Sequence, residues 1–268
     1  MTERWVTAAM AGVLGLALGS FLNVCSLRWP MDESIVRPGS RCPGCGTPVR
    51  WRDNVPVLSW LVLRGRCRAC GMPISVQYPL VELATGLVWA GTVWAQGPSP
   101  EALRGAVFLT VLLGIALSDA RFYIIPDQFS WGGMVLGLGL AFLPAGITPL
   151  QSALGLAIGL GVLWLVGVGG TWLIERLRPG RLEEAGVSSA LGGGDVKMMG
   201  MVGAFLGVWG VATTLFLGSV VALLVFGPIS ALTKRLIPLG IFLAVGGAFS
   251  YVWGEALLDW YRTSVLRL

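Results

Sequence analysis

Apolar residues run along this chain in eight blocks, at 5–27, 79–97, 103–120, 129–147, 150–174, 196–210, 212–232 and 237–257, separated by short polar connections. Most of the blocks are about 17–25 residues long, enough to cross roughly 30 Å of hydrocarbon as helix. Blocks of that length do not fit a β-barrel, whose strands are short and alternate. The pattern predicts an all-α, polytopic membrane helix bundle of about eight transmembrane helices. The first block follows Met-Thr-Glu-Arg but is too long for a signal-peptide core and lacks a small-residue cleavage site, so it reads as a retained helix.

Composition agrees with the pattern. Of 268 residues 55% are hydrophobic and 12% charged, and mean hydropathy is +0.76, whereas a water-soluble domain carries about 25% charged residues. The net charge of +5 does not point to nucleic acid, because the arginines gather beside helix ends in the manner of topology signals. Eight of them (28, 37, 41, 50, 52, 64, 66, 68) lie between the first two blocks, against three acids, Asp32, Glu33 and Asp53. Three domains follow: a first transmembrane helix, 1–27; a cytoplasmic polar domain, 28–77; and a transmembrane domain, 78–268. The same rule returns 121–128, 176–194 and Lys234-Arg235 to the cytoplasm. Glycines such as Gly155-x-x-x-Gly159 and Gly203-x-x-x-Gly207 fit close helix packing, and most of the twelve tryptophans fall near block ends, as interfacial anchors do. No internal repeat is evident.

The chain contains no histidine, which removes histidine bases, Ser-His and Cys-His nucleophiles and histidine metal ligands. Carboxylates remain. Asp127, in Ile-Ile-Pro-Asp, and Asp195, in Gly-Gly-Gly-Asp, both lie at entries to apolar blocks and on one predicted side. Two neighbouring carboxyl groups share a proton, so one can act as base on water and the other as acid toward a carbonyl. Pro126 ends the preceding segment, and Gly192, Gly193 and Gly194 leave room for a substrate backbone. The plainer alternative makes Asp127 an interfacial residue and Asp195 a helix cap. Asp119 is a third candidate, although Arg121 offers it an ion pair.

Cys42-Pro-Gly-Cys45 and Cys67-Arg-Ala-Cys70 are two Cys-x-x-Cys knuckles with 21 residues between them. Two such pairs suit one tetrahedral, structural Zn²⁺ closed by four thiolates, with a redox dithiol or disulfides as alternatives. Cys25, inside the first block, reads as a buried apolar residue.

With these residues in view the chain resembles the bacterial prepilin leader peptidases. The resemblance rests on Gly19-Ser-Phe-Leu-Asn-Val24 with Arg28 and Pro30, on the two knuckles, and on Asp53-Asn-Val-Pro56 with Ser59-Trp-Leu61. It continues through Tyr78-Pro-Leu-Val-Glu82, Ile125-Pro-Asp127 and Gly192-Gly-Gly-Asp-Val-Lys197. It implies an aspartic endopeptidase of the bacterial inner membrane that uses Asp127 and Asp195 at the cytoplasmic face, with Asp119, Pro126, Gly192, Gly193, Gly194 and Lys197 in the surrounding loops. The implied substrates are type IV prepilins and pseudopilins, cut after a glycine. The resemblance also implies N-methylation of the new N-terminus with S-adenosylmethionine, whose binding residues the sequence does not indicate. Rivals are a non-catalytic transporter or assembly scaffold with functional aspartates, and an aspartic membrane protease of different specificity.

Overall fold

The computed structural model describes residues 2–144, 146–184, 186–233 and 239–267. Lys234, Arg235 and the first two residues of the 237–257 block lie outside them. Among the described residues there are nine α-helices and no strands: α1 Thr2–Arg28, α2 Leu58–Val62, α3 Gln77–Gln96, α4 Pro100–Phe122, α5 Asp127–Leu140, α6 Pro149–Leu177, α7 Arg181–Glu184, α8 Gly193–Thr233 and α9 Leu239–Tyr261. Among the same residues five stretches are long and apolar enough to cross a membrane: Glu3–Met31, Pro100–Phe122, Pro149–Leu177, Gly193–Val225 and Leu239–Leu266. The count is five rather than eight for local reasons. α5 has only 14 residues, and α3 carries Glu82, Thr85 and Thr92 on its buried side. The sixth and seventh blocks join in α8, broken at Gly207, where φ 69 and ψ −171 are not helical.

The chain forms two compact units, Met1–Thr110 and Val111–Leu268. In the first, α1 and α3 run antiparallel with glycines at the seam. A Cβ added to Gly15 would stand 2.7 Å from the Thr85 carbonyl oxygen and 2.9 Å from Gly86 Cα, and one on Gly19 would stand 2.7 Å from Glu82 Cα. Backbone on the far side cannot swing away, so Gly15→Leu is expected to destabilise the pair by about 3 kcal/mol or more. The measurement is thermal unfolding in detergent; an unchanged midpoint would show that the helices can part without loss.

The second unit is built around the first leg of α8. Met198, Met199, Met201, Val202, Ala204 and Phe205 are all buried. α6 crosses this leg antiparallel, with Gly155 against Gly203 and Gly159 against Met199, so close that a side chain on either glycine would meet backbone. The start of α6 is written locally: Thr148 and Gln151 form a reciprocal capping box around Pro149 at the first helical position, which satisfies amides the helix leaves open. α5 lies parallel to α8, Gly133 against Met201 and Gly137 against Ala204. α9 packs antiparallel on the second leg, with Gly246 against Thr214 and Gly218 and the Ser250 and Thr213 hydroxyls paired. Leu150, Leu154, Leu165, Val166 and Leu173 of α6 point outward, the arrangement of a helix that keeps small residues for its neighbours and large ones for lipid.

Candidate active site and metal centre

The parallel register of α5 and α8 brings their first turns to one end of the second unit, and each first turn carries an acid. Asp127 opens α5, after Pro126 in extended conformation as its N-cap. Its carboxylate accepts two hydrogen bonds from Lys197 Nζ, at 2.6 and 2.9 Å, and the side chain is 57% exposed. Lys197 comes from the first turns of α8, two residues beyond Asp195.

Asp195 has a different neighbour. The carboxyl of Asp119, near the end of α4 and only 5% exposed, interacts electrostatically with it. Asp119 is held in turn by the start of α9: its Oδ2 accepts from the Ile241 amide at 3.0 Å, with the Gly240 amide beside it. Here an acid caps the positive end of a helix. Ile125 lies between these parts. A Cβ on Gly194 would meet Ile125 Cβ at 3.0 Å, and one on Gly240 would meet Ile125 Cδ1 at 2.9 Å and Asp119 Oδ2 at 2.8 Å. Gly192 fits against Asp195 Oδ2 in the same way, at 3.0 Å, while Gly193 begins α8 with open space over it.

The candidate residues therefore fall into two groups. Asp119 and Asp195 interact electrostatically near Ile125, against which both Gly240 and Gly194 are packed. Asp127 and Lys197 form a partly exposed ion pair beside them. Arg121, the ion-pair partner foreseen for Asp119, instead stacks on the Phe122 ring.

In the first unit the four knuckle cysteines, Cys42, Cys45, Cys67 and Cys70, converge. Their Sγ atoms all lie within 4.8 Å of one another, and those of Cys42 and Cys70 are 3.7 Å apart. Four thiolates around zinc at about 2.3 Å imply S···S edges of about 3.8 Å, so the donor set and its spacing fit a closed tetrahedral site. The two knuckles repeat each other at an offset of 25 residues, a repeat the sequence reading missed. Cys42 and Cys67 donate their amides to Thr47 and Met72, and Gly46 and Gly71 donate back to Cys42 and Cys67. Val49 and Ile74 likewise bond Ser40 and Gly65. Gly46 and Gly71 each sit at φ near +70°, a conformation that suits glycine. The thiols influence one another before any metal arrives. Hydrogen bonding to Thr47 draws Cys45 down to about 6. At Cys70 the Met72 amide pulls downward but is outweighed by Cys45, burial, Cys42 and Cys67, which push the thiol up to about 11.

One buried acid went unassigned in the residue-by-residue reading. Glu82 of α3 is 8% exposed, and its Oε2 accepts from the Val57 amide at 2.7 Å. A lone acid inside an apolar helix was the available signal.

A polytopic helical protein with acids gathered near one set of helix ends and a four-cysteine cluster is a narrow class, and the comparisons agree with it. The profile described as the bacterial peptidase A24 N-terminal domain matches residues 13–96, and that of the type IV leader peptidase family matches residues 106–227. A protein of Neisseria gonorrhoeae named prepilin leader peptidase/N-methyltransferase is 31% identical over 287 residues, 96% of each chain. One of the same name from Aeromonas hydrophila is 31% identical over 98% of this chain and 96% of its own. One from Myxococcus xanthus is 43% identical over 72% of this chain, which spans 54% of that relative. No solved structure matches. The chain belongs to the type IV leader peptidase family.

Proposed function

We propose that this protein is an aspartic endopeptidase of the bacterial inner membrane that removes the leader of type IV prepilins and pseudopilins after a glycine at the cytoplasmic face. The observation that carries the reading is the electrostatic interaction of the buried Asp119 carboxyl with Asp195, both close to Ile125. One carboxylate takes a proton from water as the oxygen attacks the peptide carbonyl, while the other, protonated, donates to the carbonyl oxygen; as the C–N bond breaks the first passes its new proton to the leaving amine and the second recovers its own from the gem-diol hydroxyl. Net, water's hydroxyl joins the carbonyl carbon, the C–N bond breaks and the amine keeps the hydrogen. Gly192 and Gly193 leave that edge low, so an extended peptide can approach the carboxyls.

In this reading Asp119 takes the catalytic role expected of Asp127. Asp127 is already neutralised by Lys197 and open to solvent, which suits the mouth of a site better than its proton-sharing centre. The eight-segment arrangement is kept in the same proposal, as α1, α3, α4, α5, α6, the two legs of α8, and α9, with Zn²⁺ on Cys42, Cys45, Cys67 and Cys70 in a cytoplasmic domain over 28–77. The names of the relatives support a second activity, N-methylation of the new N-terminus with S-adenosylmethionine as donor.

The test is mass spectrometry of a prepilin's N-terminus after co-expression with this protein. A product shortened at the glycine and heavier by one methyl group is expected. An intact leader would refute the peptidase, and a shortened, unmethylated terminus would refute the methyltransferase.

A further inference from the structure

α2 has its apolar side on the outside. Leu58, Leu61 and Val62, at helical positions i, i+3 and i+4, form one stripe and are 61%, 57% and 76% exposed. The polar members point inward: Ser59 Oγ accepts from the Val55 amide and donates to the Arg52 carbonyl, and Trp60 Nε1 donates to the Ile74 carbonyl. Trp51, just upstream, is 85% exposed. A contiguous exposed apolar stripe of this kind marks a surface that something covers.

The attachment of α2 says what covers it. The turn before it, Pro56-Val57-Leu58, is tied to Glu82, and Glu82 sits five residues into α3, about 7.5 Å past its first residue. Gly19 of α1 lies against the same Glu82, nine residues before the charged Arg28, or about 13 Å along that helix. By both measures the turn lies below the polar ends of helices whose outer faces meet lipid. Its backbone is also prepared for a place without water. Val55 donates to Ser59 Oγ, Pro56 has no N–H, and Val57 donates to Glu82. Leu58 donates to Pro56, and Ser59, Leu61 and Leu63 donate to Val55, Val57 and Ser59. Satisfying amides internally is what hydrocarbon demands of non-helical chain. Val57 holds φ +61°, ψ −52° to achieve it, an unfavourable conformation for a β-branched residue, maintained only where its surroundings impose it.

We infer that Trp51–Leu63 is an interfacial membrane segment, with the Leu58–Leu61–Val62 stripe in the acyl boundary and the flanking arginines on anionic lipid headgroups. Arg50, Arg52, Arg64 and Arg66 are exposed on either side of the stripe, which complements a negative leaflet. Asp53 does not offset them freely, because Arg68 grips it bidentately, the shortest contact being 2.6 Å. Continuity with the lipid-facing α1–α3 pair favours lipid over a protein partner. The inference stands independently of the proposed peptidase.

The test uses the full-length protein in phosphatidylglycerol vesicles, with the photo-crosslinker benzoylphenylalanine placed at Leu61 or, in a second variant, at Val62. Lipid adducts are counted by mass spectrometry against Leu87, exposed on α3, and Gly39, exposed in the loop before the first knuckle. Yields at 61 and 62 comparable to Leu87 and at least about tenfold above Gly39 are expected. Yields at the Gly39 level in both variants, or adducts formed only with a second copy of the chain, would overturn the inference. Equal yields in phosphatidylcholine vesicles would overturn the anionic assignment, which predicts a severalfold fall there.

Discussion

Asp195→Asn and Asp119→Asn each lower leader cleavage by at least about 10³-fold while the protein still inserts and folds. An asparagine keeps the shape but cannot accept or deliver the proton, and general acid–base assistance alone contributes about 10²–10⁴-fold. Because the two carboxyls act on one proton inventory, the double variant falls no further than the worse single one. Asp127→Asn behaves differently. It loses a partly exposed ion pair with Lys197, an interaction of about 0–1 kcal/mol, and so costs less than about tenfold in rate. Cleavage of a purified prepilin at fixed enzyme concentration distinguishes the three. Full activity in Asp119→Asn together with loss in Asp127→Asn would return the catalytic role to the pair first read from the sequence.

That pair illustrates what the chain conceals. Asp119 and Asp127 are eight residues apart in similar apolar surroundings, and motif reading favours Asp127 because a proline precedes it. Asp119 is distinguished by groups remote in sequence: the Ile241 amide, 122 positions away, and Asp195 across the unit. Only tertiary packing puts an acid under the start of α9. Where the signal was local, reading succeeded. The apolar blocks became helices, and the four cysteines met. Gly207 is an intermediate case. The pattern asked for a break between the sixth and seventh blocks and marked it at residue 211, while the backbone turns four residues earlier, at a glycine able to take positive φ. The 25-residue repeat of the knuckles was legible in Arg41-Cys-x-x-Cys-Gly-x-Pro48 and Arg66-Cys-x-x-Cys-Gly-x-Pro73. The Glu82 tie to Val57 was not, since nothing in the sequence links a helix acid to an amide 25 residues earlier.

Stripping the metal from the cysteine cluster unravels the two knuckles, residues 40–49 and 65–74, and leaves the second unit standing. Between residues 29 and 76 only Gly65 is buried, so this segment has no apolar core to hold it. Its order rests on short turns, the Val57–Glu82 and Trp60–Ile74 hydrogen bonds, the Asp53–Arg68 pair and the cysteine cluster. Structural zinc in small domains contributes apparent free energies of about 10–16 kcal/mol near neutral pH, far more than surface ion pairs provide. Purified protein should therefore carry one zinc per chain, and Cys42→Ser with Cys67→Ser should carry none. Limited proteolysis should then cut within the knuckles of the variant or of chelated protein, while sites in α6, α8 and α9 keep their protection. The affinity also has a pH sense. With Cys45 near 6 and Cys70 near 11, zinc must displace protons from the set at neutral pH, so binding strengthens as pH rises and weakens as it falls through 6. A chelated protein whose knuckles resist protease as well as the untreated one would mean that hydrogen bonds alone hold the loop.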